Sequence, residues 1–125
     1  MTDNGERLSA SIAQMNPLRE LPAVLVYATC PTPELAAAIG RSLIEGRLAA
    51  CVNILPGMTS IYRWQGAIES AIETVLIAKT TSAQSRGVIA SIVSQHPYSV
   101  PAVIVLPVLG GAQGYLDWIG FETAR

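Results

Sequence analysis

Charge is scarce in this chain. Of its 125 residues, 14% are Asp, Glu, Lys or Arg and 50% are hydrophobic, where an average soluble domain carries about a quarter charged residues. A domain this small has much surface for its volume, so scarce charge predicts that part of the surface is covered by copies of the same chain. Net charge is −1, with no basic run and no basic–aromatic interleaving, which argues against nucleic acid as a partner. Cysteine is almost absent: Cys30 and Cys51 are too few for a disulfide framework and fit reduced thiols in a cytoplasmic protein. The longest apolar runs, such as Ala102 to Leu109, fall far short of the roughly 18 residues of a membrane span. The segment 1–21 has no apolar core of the signal-peptide kind. The expected location is the cytoplasm, with no membrane partner.

What is abundant is short apolar and β-branched runs, and they concentrate between Ala49 and Thr81. Side chains alternate around Ile61-Tyr62-Arg63-Trp64, so Tyr62 and Trp64 share one face and Ile61 and Arg63 the other. Gln65-Gly66 reads as a tight turn, because glycine accepts a positive φ at little steric cost. Ile68, Ala71-Ile72 and Val75 to Ala78 then return as a second long strand. Strands usually run about 5–6 residues, so a hairpin of this length predicts pairing beyond its own domain.

The rest of the chain falls around this hairpin. Residues 1–21 are polar and mixed and read as a flexible arm; the domain spans 22–121, and 122–125 reads as a frayed end. Ala23 to Thr29 is a continuous apolar run, as in a strand buried on both faces. Thr32 is a suitable N-cap for a helix, with Pro33 at its first position and Glu34 at the positive end of its dipole. Leu35, Ile39 and Leu43 repeat at helical spacing, and Gly46 is a stop. Thr81-Ser82-Ala83-Gln84 has the capping-box pattern for a second helix, whose buried face is Val88, Ile89, Ile92 and Val93 and which ends at His96-Pro97. Val100 to Val108 is a further strand, with Pro101 near its start. Gly110-Gly111 breaks the chain before a terminal helix carrying Tyr115, Leu116, Trp118 and Ile119. The order β-α-β-β-α-β-α is an α+β, ferredoxin-like split βαβ sandwich with an added helix. Two helices on one face leave the other bare, and oligomerisation is the economical way to cover it.

At this point the chain resembles the CutA divalent-ion-tolerance family. The motifs that carry the resemblance are Thr29-Cys30-Pro31, Leu48 to Asn53, Pro56-Gly57, Ser60 to Gly66, Glu73, Lys79-Thr80, His96-Pro97-Tyr98, Val100-Pro101 and Tyr115 to Ile119, in order across 24–119. The resemblance implies a stable homotrimer similar in architecture to the PII signalling proteins, with each long hairpin pairing with its neighbours. It also implies tolerance toward copper or another divalent cation, with copper binding and no defining catalytic activity. Two departures remove ligands. The family commonly has acidic residues where this chain has Ser99 and Ala102, and some members have a Cys and a second His where this chain has Ala28 and Gln95.

The candidate metal ligands are Cys30 and His96, a thiolate and an imidazole of the kind that suits copper or zinc. The plainer reading makes Cys30 a small core residue and His96 a helix-terminal cap. Cys51 reads as packed core. Glu73 and Lys79 lie an even number of residues apart and so share a strand face. With Arg63 and Tyr98 they either line an inter-subunit cleft for a small anion or metal, or neutralise buried charge at a trimer interface. Tyr62, Trp64, Tyr115 and Trp118 are expected as interface anchors. Cys30 with His96 is the one thiol–imidazole option for catalysis, and nothing orients the base. No nucleophile elbow or phosphate-binding loop is present, so the expectation is a protein without catalysis. Two functions remain open: a divalent-cation (copper) binding trimer, and a PII-like signalling or scaffold trimer that takes a small metabolite or partner protein in its clefts.

Overall fold

The computed structural model describes residues 21–124; the expected arm, up to residue 20, lies outside the described residues. The elements are β1 (Ala23–Cys30), α1 (Pro33–Glu45), β2 (Cys51–Trp64), β3 (Ala67–Thr80), α2 (Ser82–Gln95), β4 (Val103–Val108) and α3 (Gln113–Glu122). The four strands form one antiparallel sheet in the order β2-β3-β1-β4. This is the ferredoxin-like topology.

Local sequence explains most of the element ends. Thr32 accepts from the Leu35 amide at 3.1 Å, with Pro33 in the first turn. The α1 exit differs in detail from expectation: Gly46 has an ordinary φ of −82°, and the left-handed residue is Arg47 at φ 56°. The Arg47 amide then reaches the Ile44 carbonyl and the Leu48 amide the Leu43 carbonyl, the paired bonds of a Schellman ending. Helix α2 starts where the capping-box pattern put it, but the box is not made. The Thr81 side chain caps nothing, and Gln84 instead donates to the Thr123 carbonyl at 3.1 Å. That carbonyl sits at the end of α3, so the tertiary contact outcompetes the local one.

Val26, Ala28 and Cys30 of β1 pack with Leu76 and Ala78 of β3 beneath Ala36, Ile39 and Leu43 of α1 and Val88 and Ile92 of α2. Each fully buried aliphatic side chain there contributes about 1.5–3 kcal/mol of transfer free energy. The opposite face is not wholly bare. Helix α3 lies across its Ala23 end, where Leu116 and Ile119 pack on Ala23 and Val108. Thr123, expected in a frayed end, is buried and bonds back to the Ile119 carbonyl at 2.9 Å. Strand β4 starts at Val103, later than the expected Val100, because Pro101 brings no N–H to a ladder.

The β2–β3 hairpin turns at Gln65 (φ 50°) and Gly66 (φ 83°), two left-handed residues as a type I′ turn requires. Below it, Leu55 faces Val75 but Met58 faces Glu73, so β2 holds one extra residue at Pro56-Gly57, where Gly57 has φ 79°. The bulge reverses the side-chain alternation of everything after it. Val52 and Ile54 before it face the helices, whereas Met58, Ser60, Tyr62 and Trp64 after it share the open face with Glu73. Strand β1 pairs with β3 from Thr80 only as far as Thr74. The tip, from Met58 to Glu73, therefore projects as a two-stranded arm.

Candidate functional site

The two residues expected to bind metal lie together at the Thr29 end of β1, and each is already committed. His96 is buried, with its Nε2 2.7 Å from the Thr29 carbonyl and its Nδ1 3.2 Å from the Tyr98 amide. A backbone amide only donates, so Nδ1 accepts, and Nε2 carries the proton that it donates to Thr29. The ring is a neutral tautomer with both nitrogens in use. It ties the end of α2 to β1 and packs on Tyr98 with ring centres 4.7 Å apart. Cys30 is fully buried on the helix-facing side. Burial first, and then the negative charge of Glu73, push its thiol up from the ordinary value. The thiolate is the form that binds metal, so this environment works against a ligand role. Among the described residues, no group of three or more His, Cys, Asp or Glu side chains comes together to hold an ion. The described residues of the single chain do not by themselves make a copper centre.

The four residues expected around a cleft separate. Glu73 and Tyr98 lie together, lining a pocket of about 610 Å³ on the open face. The Tyr98 hydroxyl is pushed up from its ordinary value by desolvation first, and then by the charges of Glu73, Tyr62 and Cys30. Lys79, further down β3, places its ammonium 3.3 Å from the Tyr115 hydroxyl and 5.4 Å from the centre of that ring. Arg63 pairs with Ile68 and sits on the side of the arm away from Tyr62 and Trp64. The expected interface aromatics also divide. Tyr62 and Trp64 line the Glu73 pocket, while Tyr115 and Trp118 stack at 5.5 Å on α3, at the other end of the face. Cys51, expected in the core, is half-buried, with its sulfur 3.9 Å from Asn53 Oδ1.

Tyr27, Met58 and Ser60 also line the pocket, and sequence reasoning did not single them out as site residues; Ser99 and Ala102, named there as lost ligand positions, line it too. Tyr27 was hidden in an apolar run, although its hydroxyl, which reaches Met58 Sδ at 3.5 Å, made it the polar-tipped side chain there. A second cavity, of about 640 Å³, lies between α1 and β2, lined by Ala37, Gly40, Ile44 and Val52. It holds no convergent polar groups beyond the exposed ends of Arg41 and Glu45.

The fold and site define a ferredoxin-like subunit with an aromatic pocket around one carboxylate. The family described as CutA1 divalent ion tolerance protein matches residues 24–122. The chain is 45% identical over 99 residues to the divalent-cation tolerance protein CutA of Thermus thermophilus, covering 79% of this chain and 96% of that one. It is 36% identical over 120 residues to the chloroplastic protein CutA of Arabidopsis thaliana, covering 96% of this chain and 66% of the plant protein. Among solved structures, CutA of Xylella fastidiosa superposes with a TM-score of 0.80 at 41% identity, over 82% of this chain and 99% of that one. The chain belongs to the CutA family of divalent-cation tolerance proteins.

Proposed function

We propose that the chain works as a cytoplasmic homotrimer in divalent-cation tolerance, binding its ligands without catalysing a reaction. The observation that supports assembly is the projecting arm. Its residues Ile61, Ile68 and Ile72 share one face and are 74%, 71% and 65% exposed. Among the described residues, Ala67–Glu73 of β3 has no partner strand on its β1 side. A two-stranded ribbon is marginal in water, and an unpaired edge with apolar side chains invites strand addition from another chain. Neighbouring copies can supply both the missing strands and the missing cover.

Sedimentation equilibrium tests this reading: a mass of three chains is expected, with Ile68→Asp shifting it toward one. A monomer at micromolar concentration would sink the reading. On the metal side, a copper(II) ion takes donors from more than one subunit, because the described residues of one chain bring no sufficient set together. A copper titration of the wild type and of His96→Ala is expected to give matching curves. Tight, stoichiometric binding lost in His96→Ala would restore His96 as a ligand. Relatives include proteins named chloroplastic and periplasmic, so the cytoplasmic assignment rests on the free thiols and is tested by fractionation.

A further inference from the structure

The loop between α2 and β4, residues 96–102, is closed on one residue of β1. Thr29 is buried, and both of its backbone hydrogen-bonding groups face the two ends of that loop. Its amide donates to the Ala102 carbonyl at 3.3 Å, and its carbonyl accepts from His96 Nε2 at 2.7 Å. Pro97 explains the placement of the ring. A residue before proline is pushed out of the helical region, and His96 is extended, with φ −89° and ψ 137°, at the end of α2. Inside the loop, His96 Nδ1 accepts from the Tyr98 amide at 3.2 Å, and the two rings pack with centres 4.7 Å apart. All of these contacts lie within one chain, so neighbouring copies that cover the open face leave the partners in place.

We propose that His96 is a proton-sensitive clasp: neutral, it pins this loop to β1, and protonated, it releases Tyr98. The chain has 1 histidine, and imidazole is the side chain that ordinarily changes charge between about pH 5 and 8. Donation to Thr29 survives protonation, because Nε2 already carries a hydrogen. Acceptance from Tyr98 does not, because an imidazolium has no lone pair at Nδ1 and turns one N–H toward another. The Tyr98 amide then needs a new acceptor, and the loop turns about the His96–Thr29 bond to find one. The surroundings let the charge form. Glu73 of β3 acts on both Cys30 and Tyr98, and Glu34 lies in the first turn of α1, which starts at this end. Both carboxylates attract an imidazolium. The remaining titratable groups there, the Cys30 thiol of β1 and the phenols of Tyr62 and Tyr98, belong to types that ionise above about pH 8. Among the described residues, β4 and the last turn of α2 bring no charged side chain. Both ring nitrogens are engaged inside the chain, so the inference stands apart from the metal-tolerance reading and from the assembly.

The experiment is NMR of the full chain, with EDTA present, between about pH 7.5 and about pH 5.5, where imidazole titrates. At the upper value, the ring nitrogen shifts are expected to show a hydrogen on Nε2 and none on Nδ1. On acidification the Tyr98 amide signal is expected to move with the midpoint of the ring. Its hydrogen exchange, corrected for the intrinsic pH dependence, is expected to quicken about fivefold, the size of one lost hydrogen bond. His96→Asn, which donates and accepts without titrating, is expected to hold the Tyr98 amide unchanged across the range. A hydrogen on Nδ1 at the upper value, a ring that stays neutral throughout, or a Tyr98 amide that ignores the ring's titration overturns the proposal. So does the same response in His96→Asn, which would assign it to another group. Should that variant fail to fold, the wild type decides through the other outcomes. Sedimentation of the same samples separates the clasp from the assembly: a Tyr98 response that follows a change of mass instead of the ring's titration also overturns it.

Discussion

Leu76 and Ile72 lie on the same side of β3, and their environments differ completely. Leu76 is fully buried beneath α1 and α2, whereas Ile72 keeps 65% of its surface exposed on the arm. The strand is continuous, and both residues are large aliphatics at matching positions of the alternation. What differs is what lies above them. The base of the sheet carries two helices, and the arm extends beyond their reach. An apolar stripe therefore states that a surface is to be covered, and the rest of the fold decides whether the chain itself can cover it.

Truncation gives the most direct way to break this comparison. Leu76→Ala is expected to lower stability by about 2–5 kcal/mol, the range for a buried leucine that leaves a cavity, read from urea midpoints. Ile72→Ala is expected to change the isolated subunit by within about 0.5 kcal/mol, as for an exposed position. Comparable losses in dilute solution would show that the arm is covered in the single chain after all. The junction between base and arm depends on His96. His96→Ala leaves the Thr29 carbonyl and the Tyr98 amide without their present partners, with an expected loss of about 1–3 kcal/mol. His96→Asn, which can both donate and accept, is expected to recover part of it.

A pH experiment sharpens the contrast at Cys30. Its thiol is raised above the ordinary 9.0 by burial and by Glu73, so the folded state holds the proton after the unfolded chain has released it. Stability from this group is complete below the ordinary thiol value and is lost as pH rises past it. Wild type is expected to lose more stability than Cys30→Ala between about pH 8 and about pH 10, in parallel urea titrations. Tyr98 acts with the same sign above its ordinary 10.0, weakly because it is nearly half exposed. The smallest effect belongs to the arm's turn. Gln65→Asn suits the left-handed first position of a type I′ turn and is expected to stabilise by a few tenths, about 0.3 kcal/mol. A loss instead would mean that Gln65 is engaged in the assembly.

The sequence carried the element order, the Thr32 cap, the turn at Gln65-Gly66 and the aliphatic residues of the core. It also singled out Cys30 and His96 as candidate ligands, and Glu73 and Tyr98, which line one pocket of the single chain, as members of a cleft between subunits. Lys79 was grouped with Glu73 on strand parity, which says nothing about distance along a strand, and Arg63 on its expected place in the sheet, which an extra residue in β2 alters. The His96 tautomer was not legible, because its partners are backbone groups of Thr29 and Tyr98, and any residue types there could supply them. Gln84 shows the same limit: its spacing from Thr81 fits a capping box, and the contact that wins comes from Thr123.

By itself, then, the sequence determined what depends on near neighbours: where periodicity changes, where glycine and proline interrupt, and which faces are apolar. Tertiary structure decided what depends on a count of residues and on groups far apart in the chain. One extra residue at Pro56-Gly57 puts Tyr62 and Trp64 on the face of Glu73. The return of α3 covers one end of that face and leaves the other open as a pocket. A register is a collective property of paired strands, so single-chain alternation carries the pattern but not the side on which each residue finally stands.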